Sequence, residues 1–144
     1  LAPYAPVDGS DRLVISGVRL RLRPAAAQSL ALVLHELATN AVKYGALGRE
    51  DGRVDLSWER LGDGPGAPLR ICWKESGVEG LRGPSGRTGF GSRVIKASVE
   101  RQLKGKVQQD WGADGLTVTL TMPVDHLLTR DGLSSGNQED QGAQ

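Results

Sequence analysis

Three polar side chains recur along one stretch of the sequence at intervals that place them on one side of a helix. Glu36, Asn40 and Lys43 are four and three residues apart, which is the spacing of neighbours on a helical face. The amide oxygen of Asn40 suits a hard cation such as Mg²⁺, and Lys43 can reach a phosphate group. A solvated helix face shows the same pattern, so the spacing alone leaves both interpretations open.

A further carboxylate falls at the end of an alternating run, residues 69–75. Period two places Glu75 on the same side as Trp73, the side that should face the helices. An ionised group there is costly unless it has strong partners. One interpretation is that the strand ends at Lys74 and leaves Glu75 exposed, or paired with a nearby cation. The other is that Glu75 accepts a hydrogen bond from an exocyclic amino group such as that of adenine, with Gly77 allowing close approach.

Glycines also mark residues 88–92, just before a second stretch with helical spacing. Unbonded amides at a helix start, exposed by glycine, can bind phosphate. The sequence lacks two familiar phosphate motifs. Val94 stands where a dinucleotide fingerprint needs glycine, and Leu81 and Arg87 stand where a P-loop needs glycine and lysine. The phosphate site remains a hypothesis.

Composition excludes several other classes of function. With 144 residues the chain is expected to form one domain, and a net charge of +1 gives no drive onto nucleic acid. One cysteine, Cys72, rules out an internal disulfide and a multi-thiolate metal site. Two histidines, His35 and His126, without supporting carboxylate spacing argue against a zinc site. Apolar runs are too short for a membrane helix, and no serine-elbow motif is present.

Turn residues and hydrophobic periodicity predict the elements that would position these groups. In chain order they are a hairpin over residues 12–22, a long helix over 25–47, a second hairpin formed by 53–60 and 69–75, a mobile loop over 76–91, a helix over 92–104, and strands over 106–111 and 116–122. This order favours an α+β fold, a mixed sheet with helices on one face. We expect one domain over residues 1–123 and a disordered tail over 124–144.

Three segments together resemble the ATP-binding domain of sensor histidine kinases, specifically the HWE subgroup of the GHKL superfamily. Residues 34–47 (LHELATNAVKYGAL) look like the N box of that family, including its unusual histidine. Residues 73–75 (WKE) look like its Trp-x-Glu element, and residues 89–93 (GFGSR) look like its second glycine box. All three occur in the family's order over roughly residues 1–123. After Glu75 the chain departs from the family's frequent paired glycines and proline.

The resemblance implies a two-layer α/β sandwich of the Bergerat type and a role for each matching residue. Asn40 would bind Mg²⁺, and Glu75 with Gly77 would receive the adenine of ATP. Glu36 would help to activate the attack, with His35 beside it as a second catalytic candidate, and Thr119 would be a weaker candidate for the adenine pocket. The residues implied to contact the nucleotide, mainly its phosphates, are Lys43, Tyr44, Gly89, Phe90, Gly91 and Ser92.

The implied activity is transfer of the γ-phosphoryl group of ATP to a histidine in bacterial two-component signal transduction. That histidine would lie on an upstream dimerisation domain that we expect to be absent from this chain, and the parent protein would be a cytoplasmic homodimer that phosphorylates a response regulator. Neither nucleic acid nor a membrane is expected to contact the domain. Two alternatives stay open: a GHKL-type serine/threonine protein kinase, and a nucleotide-sensing or partner-docking module without catalysis.

Overall fold

The computed structural model describes residues 12–78 and 90–130, with the backbone alone for residues 90–92. Its strands form one five-stranded sheet in the order β1-β2-β3-β5-β4, with β1 parallel to β2 and the other pairs antiparallel. The elements are β1 (Leu13–Gly17), α1 (Pro24–Tyr44), a 3₁₀ turn (Ala46–Gly48), β2 (Arg53–Arg60), β3 (Leu69–Ser76), α2 (Phe90–Ala97) with a π-helical continuation (Ser98–Gln102), β4 (Lys106–Trp111) and β5 (Leu116–Met122).

Helix α1 is the main helix of the layer that covers the sheet. Pro24 occupies its first turn, where a missing N–H costs nothing, and Gly45 ends it by donating its N–H to the carbonyl of Ala41 at 3.0 Å. The helix therefore begins one residue earlier than predicted, at Pro24, and ends three residues earlier, at Tyr44. Its fully buried side chains recur three or four residues apart: Ala26, Leu30, Val33, Leu37 and Ala41.

The sheet has one buried and one open face, which confirms the predicted two-layer α+β architecture. Along β5 the alternation is complete, with buried residues at Leu116, Val118, Leu120 and Met122 and half-buried threonines between them. The predicted hairpin β2–β3 and the predicted pair β4–β5 form with the expected bounds to within one residue. The apolar face of α1 and the inner face of the sheet enclose the core.

The hairpin predicted over residues 12–22 is wrong. Residues Leu13–Gly17 form β1, which pairs in parallel with β2 after the α1 crossover. The alternation was real, but the partner strand lies 41 residues further on, where Leu13 pairs with Val54. Residues 18–22 leave the sheet, and Leu22 forms an isolated bridge with Leu128.

Residues 124–128, predicted as the start of a disordered tail, pack into the core. Val124 and Leu128 are 1% exposed and Leu127 is 0% exposed. Backbone hydrogen bonds fix the segment, because Arg23 donates its N–H to Leu127 and Thr129 donates its N–H to Arg21, both at 2.9 Å. The folded unit therefore extends beyond residue 123, while residues 131–144 of the predicted tail lie outside the described residues.

Other predictions are met in part. Val78 is buried and donates its N–H to the carbonyl of Asp114, so the predicted loop over 76–91 begins with ordered backbone. Its remainder, residues 79–89, lies outside the described ranges. The helix predicted over 92–104 begins two residues earlier, at Phe90. Over the two described ranges, no helix is long and apolar enough to cross a bilayer.

Replacing Leu128 by alanine should lower the free energy of unfolding by about 2–5 kcal/mol, because it removes buried methyl groups and leaves a cavity. Leu61→Ala is the matched control, since Leu61 is 40% exposed and its truncation should change stability by about 0.5 kcal/mol or less. Urea unfolding measures both. Equal stabilities of the two variants would show that residues 124–128 are not part of the folded unit.

Candidate functional site

The carboxylate of Glu75 is buried at the end of β3, where only 1% of the residue is exposed. Its Oε1 accepts a hydrogen bond from the backbone N–H of Ala46 at 3.1 Å. Its Oε2 accepts one from the indole Nε1 of Trp73 at 2.9 Å. The interpretation that Glu75 is exposed beyond the strand is wrong, because β3 runs to Ser76. Hydrogen bonds to an ionised acceptor are the stronger kind and offset the cost of its burial.

The bond to Ala46 joins the end of α1 to the end of β3. Ala46 follows the capping residue Gly45, and Asn40 lies four residues before the last helical residue, Tyr44, or about 6 Å along the axis. The amide of residue 40 and the carboxylate of residue 75 therefore belong to the same end of the sandwich.

Gly77 occupies a backbone conformation that favours glycine, with φ of 77°. A Cβ there would lie 2.5 Å from the carbonyl oxygen of Asp51 and 3.2 Å from the Cα of Gly52. The Gly77 N–H donates to Asp114 Oδ1 at 3.0 Å. The chain after β3 is therefore held between residues 51–52 and the β4–β5 turn, with backbone groups on both sides.

Glu36, Asn40 and Lys43 share one flank of α1, as the spacing predicted. Glu36 and Asn40 are half-buried, whereas Lys43 and Tyr44 near the helix end are exposed. Half-burial of the first two places them at the margin of the core, where a side chain can reach a ligand and still be held by its neighbours.

The structure separates His35 from Glu36. Successive residues of a helix point about 100° apart, and His35 lies on the side of α1 opposite the buried stripe, where it is exposed. His35 and Glu36 therefore do not form a catalytic pair on one face.

The glycine segment that was predicted to bind phosphate does open a helix. Phe90, Gly91 and Ser92 form the first turn of α2, so their backbone amides include those without a partner inside the helix. Gly89 lies outside the described residues. Helices α1 and α2 pack against each other, which brings the start of α2 into the same layer as the Asn40 flank.

Thr119 is not brought to this site. In β5 it alternates with buried residues, and it pairs with Cys72 of β3 rather than with Trp73 or Glu75. Thr119, Cys72 and Ser57 line a shallow hollow on the open face of the sheet. Period two therefore puts Thr119 on the side opposite Glu75, and its assignment to the adenine pocket does not agree with the fold.

The side chains of the described residues can be compared with the ligands that Mg²⁺ requires. Within residues 12–78 and 90–130, no group of three or more His, Cys, Asp or Glu side chains could hold a metal ion. Mg²⁺ usually keeps several waters and binds through one or two protein ligands together with substrate phosphates. The amide oxygen of Asn40 is a donor of the type that suits a metal carried by a nucleotide.

Sequence reasoning missed three contributors to this end of the sandwich. They are three side chains that form hydrogen bonds there. Arg12 donates to backbone carbonyls after α1, the Trp73 indole donates to Glu75, and Asp114 accepts from the Gly77 N–H. The period of β3 placed Trp73 on the covered face and the family resemblance included it in the Trp-x-Glu element, but neither predicted that its indole binds Glu75. Asp114 lies in the turn between β4 and β5, where aspartate is common, so its residue type did not indicate that it accepts a hydrogen bond from Gly77.

Comparisons with known proteins point to one family. No protein-family model matches the sequence. A blue-light-activated histidine kinase of Rhizobium johnstonii is 38% identical over 123 residues, which are 85% of this chain and 34% of that protein. The chain thus spans between a quarter and about a third of the length of the curated relatives it matches.

Solved structures share the fold. The histidine kinase domain of the EL346 blue-light-activated histidine kinase of Erythrobacter litoralis has a TM-score of 0.61 at 20% identity, over 81% of this chain and 54% of that one. The histidine kinase ThkA, solved in complex with the response regulator protein TrrA, has a TM-score of 0.53 at 16% identity, over 77% of this chain and 34% of that one.

Replacing Glu75 by glutamine should destabilise the fold by about 1–3 kcal/mol, because the new NH₂ group meets an N–H donor at Ala46 or Trp73 and leaves a buried donor unsatisfied. Glu59→Gln is the control. It changes the same group in an exposed pair with Arg70, with side-chain exposures of 58% and 46%, and should cost less than about 1 kcal/mol. Guanidinium unfolding distinguishes the two, and an E75Q variant as stable as E59Q would contradict the buried bonding of Glu75.

Proposed function

Because this chain belongs to the catalytic and ATP-binding domains of HWE-type histidine kinases, we propose that it binds Mg-ATP and provides the γ-phosphoryl group for transfer to a histidine. The observation that carries the proposal is the hydrogen bond between Glu75 and Ala46. This bond links a residue just after the end of α1 to the carboxylate at the end of β3. It supports a site in which groups suited to a metal, a phosphate and a base lie at one end of the domain.

Adenine is the base that this end suits. Each oxygen of a carboxylate can accept two hydrogen bonds, so the bonds of Glu75 to Ala46 and Trp73 are compatible with a third from the exocyclic amino group. Gly77 offers backbone without a side chain beside it. The surrounding backbone holds both groups in place before the nucleotide arrives, which lowers the entropy cost of binding.

The triphosphate would lie between α1 and the start of α2. Asn40 would ligate Mg²⁺, and the charge of Lys43 would oppose that of the phosphates. Tyr44, Gly89 and the first turn of α2, Phe90, Gly91 and Ser92, would complete the phosphate contacts, with backbone N–H groups as donors. When bound, Mg²⁺ would neutralise charge on the phosphate oxygens.

Glu36 is the proposed catalytic carboxylate. In the transfer, a nitrogen of the acceptor imidazole attacks the γ-phosphorus while the bond to the β–γ bridging oxygen breaks, and ADP leaves. Glu36 lies on the same flank as Asn40, one turn before it, where it can accept a hydrogen bond from the other imidazole N–H and orient the ring. We assign no step to His35, because it lies on another side of α1. Catalysis here consists mainly of positioning and charge stabilisation.

The partners follow from the same proposal. The acceptor histidine would be on a dimerisation domain of a larger, homodimeric and cytoplasmic protein, and the phosphoryl group would pass on to a response regulator. The complex of ThkA with TrrA supports a response regulator as the next partner. The similarity to named histidine kinases favours this activity over a serine/threonine kinase or a non-catalytic module.

Replacing Asn40 by alanine should weaken Mg-ATP binding by about tenfold or more, because it removes the protein ligand of the metal. Gln28→Ala, an exposed amide near the start of the same helix, should leave the affinity unchanged. Isothermal titration calorimetry with and without Mg²⁺ measures both, and the wild type should lose affinity in EDTA. Absence of ATP binding to the wild-type chain at millimolar concentration would overturn the proposed function.

Incubating the chain alone with Mg-ATP labelled at the γ-phosphate should give far less than one phosphoryl group per chain. The reason is positional, because His35 lies on the exposed side of α1 and His126 is exposed in the segment after β5. Acid-labile label counted after gel filtration is the measurement. Stoichiometric phosphohistidine on the isolated chain would contradict this arrangement, and acid-stable label on serine or threonine would favour the other kinase class.

A further inference from the structure

Arg12, just before β1, binds the chain that follows α1 through several backbone carbonyls. Its Nε donates to the carbonyl of Gly52 at 3.1 Å. Its Nη2 lies within hydrogen-bond distance of three more carbonyl oxygens, those of Ala46 at 3.2 Å, Leu47 at 3.1 Å and Arg49 at 2.6 Å. The guanidinium therefore holds residues 46–52, which we call the post-helix loop.

The post-helix loop is also a wall of the candidate site. The N–H of Ala46 donates a hydrogen bond to Glu75, and the carbonyl of Ala46 accepts one from Arg12. The two side chains therefore hold the peptide units on both sides of Ala46. At the other end of the loop, the Asp51 carbonyl and the Gly52 Cα bound the space beside Gly77. Movement of this loop would shift the donor of Glu75 and the backbone next to Gly77 together.

Charge makes arginine suited to this position. The carbonyls of Ala46, Leu47 and Arg49 belong to the 3₁₀ turn and its end, directly after the C-terminus of α1. Helix ends leave carbonyls without intrahelical partners and carry partial negative charge, which a cation stabilises. The planar guanidinium supplies donors in several directions, whereas a lysine ammonium acts as a single point charge.

We propose that Arg12 is a positioning residue for base recognition: by holding the post-helix loop, it fixes the orientation of Glu75 toward the exocyclic amino group of adenine. This inference rests on the proposed binding of ATP. Arg12 itself does not touch the nucleotide. Its effect should therefore appear in the discrimination between bases and not in the affinity for the phosphates.

The test compares ATP with inosine triphosphate, which carries an oxygen where adenine carries its amino group. Wild-type chain should prefer Mg-ATP. In Arg12→Ala, affinity for Mg-ATP should fall about tenfold, as expected for loss of a charged hydrogen-bond set that holds the acceptor. Affinity for the inosine nucleotide and for Mg-triphosphate should change about twofold or less, so that the preference for adenine largely disappears. Calorimetric titration gives all three affinities.

Arg60 provides a matched control in the same protein. Its guanidinium also binds three carbonyls of a loop, those of Ala67 at 2.9 Å, Gly64 at 3.2 Å and Pro65 at 3.0 Å, at the opposite end of β2. That end is about 24 Å from Arg53 along the strand. Arg60→Ala should lose stability like Arg12→Ala but keep the wild-type preference for ATP.

Arg12→Lys provides a second variant in case Arg12→Ala does not fold. Lysine keeps the positive charge but lacks the planar set of guanidinium donors, so this variant should show a preference for ATP between those of the wild type and Arg12→Ala. Wild-type preference in Arg12→Ala, or in Arg12→Lys if the alanine variant is unfolded, would overturn the inference. An equal loss for ATP, inosine triphosphate and triphosphate would also overturn it, because it would indicate a general structural role. Failure of the wild type to bind ATP would instead overturn the proposed function.

Discussion

A buried carboxylate is the constraint on which the rest of this domain depends. Glu75 is buried at the end of the central strand β3, where an ion is stable only if donors surround it. Trp73 from its own strand and Ala46 from the end of α1 supply two of them. The same bonds that make the burial tolerable also set the distance between the helix and the strand. Stability and site geometry are therefore tied to one functional group.

Much of this arrangement could be read from the sequence, because periodicity records which face of an element is covered. The spacing of Glu36, Asn40 and Lys43 identified the flank of α1 correctly, and the alternation in β3 identified the direction of Glu75. The same alternation excludes Thr119 from the covered face, since its neighbours Val118 and Leu120 are the apolar positions of β5. The family resemblance alone implied a role for Thr119 in the adenine pocket, and the period of β5 does not support it.

Other features could not be predicted because they depend on partners distant in the sequence. Alternation near residue 13 indicated a strand but not that its partner follows a long helix, so a local hairpin was the wrong inference. Arg12 contacts backbone carbonyls, which every residue has, and such contacts leave no trace in residue type. Val124 and Leu128 are too few and too irregularly spaced to give a period, yet they complete the core under residues 21–23.

The open face of the sheet carries the single thiol of the chain, Cys72, in a row with Ser57 and Thr119. Its neighbour along the strand, Trp73, points the other way and binds Glu75. Oxidation or alkylation of the thiol would therefore alter a polar surface, with the sheet itself between the modified sulfur and the carboxylate. The fold separates redox chemistry at its one cysteine from the layer in which Glu75 and Asn40 lie.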